Sequence, residues 1–153
     1  MSPNQAIVLH LAERPGHDVP FPSDPLASAL GARLRAVEPR RGEVSLDFEP
    51  GRTFLQGEGV VQGGAVSAML DFATACAAMS VLHPGQDCAT VTLTTSFLRP
   101  VPAGRCRVHA QVDKHGRTTV FARASLCEPG DGGRTLATAV AVLAVTPAPA
   151  PAR

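Results

Sequence analysis

Asp71 stands alone in an apolar run. From Ala65 to Leu82 the chain reads AVSAMLDFATACAAMSVL, and Asp71 is the single charged residue in it. A carboxylate in such surroundings is costly unless it is paired, protonated or in use. Directly upstream lies GEGVVQGG, Gly57 to Gly64, a glycine-rich turn that feeds the start of the run. A helix start presents backbone N–H groups with no intrahelical acceptor, and the helix dipole adds positive potential there. Amides free to hold an oxyanion and a carboxylate able to take a proton are the groups needed for attack on a carbonyl. No rival constellation has recognisable spacing: the G-x-S-x-G elbow, a Ser/His/Asp or Cys/His arrangement and a glycine-rich nucleotide fingerprint after a strand are all missing. The four cysteines, Cys76, Cys88, Cys106 and Cys127, form no CxxC or Cys/His metal pattern, so they read as small core residues and no metal is expected.

The elements around these residues follow from periodicity. The 65–82 run has no Pro or Gly, so it reads as one buried helix of about five turns. At 100° per residue, Gly64, Ser67, Ala68, Thr74, Ala75 and Ala78 share the Asp71 face, whereas Met69, Phe72, Cys76 and Met79 cluster opposite. The small face leaves room around the acid for a ligand or a partner's backbone, and the bulky face should pack on a sheet. Upstream, residues 4–14 suggest a short helix, and Asp24 with Pro25 suggests the cap of a second over PLASALG. A Pro-rich link lies between them. Ala32–Val37 and Glu43–Phe48 read as strands around EPRRG, and 49–64 as loop.

After His83-Pro84-Gly85 the period changes to two. Cys88–Leu98, Arg105–Lys114, Thr118–Cys127 and Arg134–Val145 read as strands, the last three joined by short loops into an antiparallel meander. In the second of these, Cys106, Val108, Ala110 and Val112 should face inward. The architecture expected is α+β: a curved antiparallel sheet of five to six strands wrapped around one long buried helix. Such a sheet leaves edges that need cover, and pairing them across a two-fold axis would make a dimer. Residues 1–25 form an N-terminal extension, 26–146 the domain, and 147–153 (TPAPAPAR in part) a disordered Pro/Ala tail.

Composition narrows the function classes. The formal net charge is +1 with scattered basic residues, and Trp and Tyr are absent, so no nucleic-acid surface or stacking platform is indicated. The N-terminus has only a short apolar stretch broken by His10 and Glu13, so no secretory signal is read. The Ala-rich central helix with its acid argues against a membrane span. A reducing cytoplasm fits the unpatterned cysteines.

The run Gln56-Gly57-x-Gly59-x-x-Gln62-Gly63-Gly64, followed by Asp71, resembles the active-site segment of hotdog-fold acyl-CoA thioesterases. The nearest likeness is to the phenylacetate-pathway (PaaI-type) branch, with Asn-x-x-Gly-x-x-His-Gly-Gly and an acid seven residues on. TVTLTTSFLRPVPAG, Thr90 to Gly104, is similar to that family's strand ending in a Pro-containing bend. The resemblance spans about Leu26 to Val145 and implies a hotdog fold working as a homodimer or homotetramer on an acyl-CoA. No cofactor is implied beyond the coenzyme A of the substrate.

It also implies roles. Asp71 matches the catalytic carboxylate, acting as general base on water or as nucleophile through a mixed anhydride, from the neighbouring subunit's side. Gly63 matches the backbone N–H that polarises the thioester carbonyl, with Gly64 beside it. Gln56 takes the place of the Asn or Gln that orients water or thioester. Thr90 aligns with a hydroxyl that assists the water from the partner subunit, and Thr74, one turn after Asp71, has the reach for similar work. The usual His is Gln62 here, and an amide can donate a hydrogen bond but cannot carry a proton at neutral pH.

Arg99, Lys114, His115 and Arg117 are placed to meet the phosphates of coenzyme A, with Arg99 and Arg117 foremost. Phe48, Phe54, Phe72 and Phe97 fit either the acyl pocket or the core. Two other readings stand beside the thioesterase. One is a hydratase or dehydratase of the same fold, whose Asp/His pattern is not found. The other is a non-catalytic acyl-CoA or acyl-lipid binder, favoured by Gln62 and opposed by Asp71.

Overall fold

The computed structural model describes residues 1–57, 59–130 and 132–147. The Pro/Ala tail expected over 147–153 therefore falls, but for Pro147, outside the described residues. Two short helices open the chain. α1, Pro3–Glu13, starts at Ser2, whose hydroxyl accepts from the Gln5 amide, and buries Gln5, Val8 and Leu11. α2, Pro25–Ala29, starts at Asp24, which accepts from the Ala27 amide at 2.9 Å. In both, an oxygen-bearing cap followed by Pro pre-set for helical φ fixes the start.

The sheet is antiparallel and has seven strands rather than five or six. In chain order these are β1 (Val19–Pro20), β2 (Arg33–Glu38), β3 (Glu43–Phe48), β4 (Gln86–Phe97), β5 (Cys106–His115), β6 (Thr119–Cys127) and β7 (Thr135–Pro147). Their spatial order is β1-β2-β3-β5-β6-β7-β4. The additional strand is β1, a two-residue piece of the Pro-rich link that pairs Val19 with Leu34 and Pro20 with Arg33. A proline is tolerated there because the strand lies at the sheet edge. β5, β6 and β7 form the expected meander, and β5 turns Cys106, Val108 and Ala110 into the core.

The central helix, α3, spans Gly63–Val81, two residues earlier than its apolar run. Gln62 is its N-cap residue in extended conformation, so both glycines belong to the first turn. The sheet curls around α3, and Met69, Leu70, Ala73, Cys76 and Ala77 are fully buried against it. At 19 residues α3 has the length and hydropathy of a membrane span, but it is the sheet-wrapped core helix, a situation that meets the same test. It is not buried all round. Gly64 is exposed, and Ser67, Ala68, Asp71, Phe72 and Ala75 are half-buried, forming an open strip along one side. Phe72 is half-buried at the margin of this strip, and it packs on the sheet through Phe48 and on the link before α2 through Phe21.

β4 lies at the other sheet edge, and from Cys88 to Leu98 it carries no charge. It pairs with β7 through a bulge at Val91, between Thr90↔Leu143 and Thr92↔Val142. The extra residue reverses the in/out alternation. Cys88 and Thr90 face α3 before the bulge, and Leu93 and Phe97 face it after.

Candidate active site

The turn before α3 is held by backbone bonds. The Gln56 amide donates to Val60 O at 2.8 Å, and the Gly59 amide donates to Gln56 O at 3.0 Å. Gly59 has φ +72°, a conformation open to glycine at little cost. The Val61 amide donates to Val101 O at 2.9 Å and that of Ala103 to Gly59 O at 3.1 Å, which docks the turn on the bend after β4. The Pro-containing bend thus buttresses the start of α3.

The first intrahelical bond of α3 runs from the Val66 amide to Gln62 O at 3.0 Å. The amides of Gly63, Gly64 and Ala65 therefore have no intrahelical acceptor. The first turn holds no acidic residue, so nothing there neutralises the positive end of the dipole. The Gln62 side chain makes no capping bond and is exposed. A Cβ on Gly63 would stand 3.3 Å from Phe97 Cζ, whereas one on Gly64 would meet nothing within 4 Å. Glycine at 63 lets the aromatic ring lie against the exposed amides. Gln56, Gly63, Phe97 and Arg99 line one cavity of about 360 Å³. Arg99 is braced there by donating to Thr135 O at 3.0 Å.

Asp71 lies on the open strip further along α3. Thr90 Oγ1 donates to its Oδ1 at 2.8 Å, across from β4. The resemblance implied a hydroxyl reaching in from a partner, but Thr90 meets Asp71 within its own chain. Thr74 is corrected as a substrate contact: it is fully buried, and its hydroxyl donates to the Asp71 carbonyl oxygen at 2.8 Å. A Thr or Ser inside a helix satisfies itself on the preceding turn in this way.

Within one chain the candidate groups fall into two sets. Gln56, Gly63, Gly64 and Arg99 gather at the start of α3, while Asp71 and Thr90 sit two turns on. Gly63 and Asp71 are eight residues apart, about 12 Å at helical rise. Arg117 sits in the β5–β6 turn, where the Val145 amide donates to Thr118 O at 2.9 Å. Val145 pairs with Cys88, so this turn lies by the opposite end of β4 from Arg99. One chain does not bring Arg99 and Arg117 together.

Two aromatic contacts escaped the sequence reading: Phe97 over Gly63, and Phe21 on Phe72 at 4.8 Å between ring centroids. The bulge hid the first by switching the parity of β4. The second joins residues too far apart in sequence for any local pattern. A cavity of about 540 Å³ lies on the outer face of the sheet by Ser45, His109 and Arg123 and holds none of the candidate groups.

Cys88, beside Asp71, has its thiol pushed up to about 12, first by burial and then by the charges of Asp87 and Asp71. Burial likewise raises Cys76 and Cys106. These thiols are poor nucleophiles at neutral pH.

Comparison with known proteins gives a consistent match. The Thioesterase superfamily pattern matches residues 58–134. A candidate thioesterase and phenylacetic acid degradation-related protein of Ralstonia eutropha JMP134 has a similar structure, with TM-score 0.76 and 32% identity over 94% of this chain and 99% of that one. A thioesterase family protein of Silicibacter pomeroyi is 33% identical, with TM-score 0.76 over 83% of this chain and 93% of that one. A curated relative, a candidate esterase of Thermoplasma volcanium, is 31% identical over 83 residues, which is 54% of this chain and 61% of that protein.

Proposed function

The chain belongs to the thioesterase superfamily, with a hotdog fold of the PaaI type, and from that premise we propose that it hydrolyses an acyl-CoA thioester to a free acid and coenzyme A. The observation that carries the proposal is the pairing of a half-open carboxylate, Asp71, fixed by Thr90 at 2.8 Å, with unbonded amides at the start of the same kind of helix. The thioester oxygen rests on the Gly63 amide, with Gly64 beside it. Asp71 takes a proton from water, whose oxygen adds to the carbonyl carbon. The tetrahedral intermediate collapses, the C–S bond breaks, and the leaving thiolate takes a proton, which Asp71 can return. Gln56 and Gln62 are placed to orient the thioester or the water by hydrogen bonds. No step requires a metal.

The distance between the two sets of groups supports a homodimer as the working unit. β4 is a long edge strand, uncharged from Cys88 onward, with Val91 62% and Phe97 56% exposed. Such an edge is fit to pair with another strand. Antiparallel pairing of two β4 edges across a two-fold axis, with Thr90 opposite the partner's Phe97, carries the partner's Gly63 toward Asp71. The same pairing moves the partner's Arg99 toward the Arg117 turn, so the two could share the phosphates of coenzyme A. A homotetramer would be a dimer of such dimers. Free thiols fit a cytoplasmic setting. The name of the Ralstonia relative favours a small aromatic acyl group.

The test is thiol release from aromatic, short-chain and long-chain acyl-CoAs by wild type and Asp71→Asn. Loss of a general base is expected to lower kcat by roughly 10²–10⁴ while the protein stays folded. Saturable acyl-CoA binding without turnover by the wild type would identify a binder instead.

A further inference from the structure

Phe72 follows Asp71 directly and belongs to the same half-open strip, flanked by Ala68 and Ala75. Small side chains on both flanks leave the Phe72 ring as the bulkiest surface beside the acid. That ring is met edge-on by Phe48 at 6.5 Å and by Phe21 at 4.8 Å, both nearly perpendicular. Phe48 is part of the sheet. Phe21 is not: it comes from the link between α1 and α2, yet is only 1% exposed.

Several features hold Phe21 in place. Pro20 and Pro22 flank it and restrict its backbone. Val19 and Pro20 pair with β2, and Asn4 donates to Asp24 at 2.9 Å, tying α1 to the cap of α2. Phe21 also lines a surface pocket of about 400 Å³ with Pro20, Ser28, Ala32 and Arg33. Phe21 thus has the Phe72 ring of the strip as one neighbour and a surface pocket as another.

We propose that Phe21 is a specificity-determining residue: it closes the acyl side of the site behind Phe72 and restricts the enzyme to compact acyl groups. The proposal rests on the thioesterase reading above. On that reading an acyl chain leaving the carbonyl attacked by the Asp71-activated water runs along the small residues of the strip to Phe72. With Phe21 in place it stops there. Without the ring it has a path into the pocket beyond.

The experiment compares kcat/KM for butanoyl-CoA and octanoyl-CoA in wild type, Phe21→Ala and Phe21→Leu. The octanoyl-to-butanoyl ratio cancels any difference in the amount of folded enzyme, so a merely structural role does not move it. Each methylene newly accommodated is worth about fourfold, and the two substrates differ by four. The ratio is expected to rise at least about tenfold in Phe21→Ala, with Phe21→Leu between it and wild type. Phe21→Tyr should keep the wild-type ratio. A ratio within about twofold of wild type in Phe21→Ala and Phe21→Leu, while butanoyl-CoA is still cleaved, overturns the proposal and leaves the thioesterase reading intact. Failure of the wild type to release thiol from any acyl-CoA overturns that reading and this inference with it.

Discussion

Two inactive variants, mixed, should recover activity. Gly63 and Asp71 are eight residues apart on α3, about 12 Å. Helical N–H groups point toward the helix start, so an oxyanion held at Gly63 lies still farther from Asp71. A carbonyl whose oxygen sits about 3 Å from that amide cannot also present its carbon to water held by the carboxylate of the same chain. On the proposed mechanism the reacting pair comes from two chains. Gly63→Pro removes the amide proton with little other damage. Position 63 is the first helical residue, where Pro is favoured, and Gln62 already has φ −61° and ψ 142°, as a residue before Pro requires. The added ring would press on Phe97, which is 56% exposed and free to give way. Loss of one oxyanion donor costs about 10²–10³ in kcat, and Asp71→Asn is comparable. When equal amounts of the two variants exchange subunits at random, half of the dimers are mixed, and each mixed dimer has one intact site. Thiol release should return to about a quarter of wild type. Asp71→Asn mixed with Thr90→Val is the control, because those residues meet within one chain and a mixed dimer of that pair has no intact site. Activity in the first mixture no greater than the mean of its parents, with exchange verified by mass, would refute the two-chain site.

The Thr90 hydroxyl bonds one carboxylate oxygen at an exposed position, so Thr90→Val should lower kcat about tenfold and change stability by under about 1 kcal/mol, with Thr90→Ser close to wild type. An unchanged kcat in steady-state thiol release would remove Thr90 from the site. The cysteines set an alkaline limit. Cys88 and Cys106 are raised from 9.0 to about 12 by burial, and Cys76 is raised well above 9.0. Above the ordinary thiol value the unfolded chain loses protons that the folded chain keeps, so stability is held below pH 9 and lost as pH rises. The slope approaches roughly 1.4 kcal/mol per pH unit for each buried thiol. Urea unfolding at pH 8 and pH 10 measures it, and alanine at the three positions should flatten it.

What the sequence could show was governed by locality. The helix, the glycine turn and the period-two strands are repeats over a few residues, so α3, β3 and the β5–β6–β7 meander lie close to where patterning puts them. Asp71 stood out because a lone charge in an apolar run has few bland explanations. Most of the departures involve contacts between distant segments. β1 is a strand only because β2 offers it an edge, and Val19-Pro20 has no strand signal of its own. Thr74 and Thr90 are alike as sequence, each a Thr near the acid in some projection. Only the fold shows that one is engaged by the carbonyl of its own helix and the other by the carboxylate. The bulge at Val91 matters most. Strict alternation from Cys88 through Thr90 would turn Leu93 and Phe97 away from α3. One inserted residue lets the acid-facing hydroxyl and the amide-facing ring share a strand. On the proposed pairing of two β4 edges, a two-fold axis between these side chains carries one chain's acid toward the other's amide, and the exposed apolar edge that would otherwise invite aggregation becomes the element that completes the site.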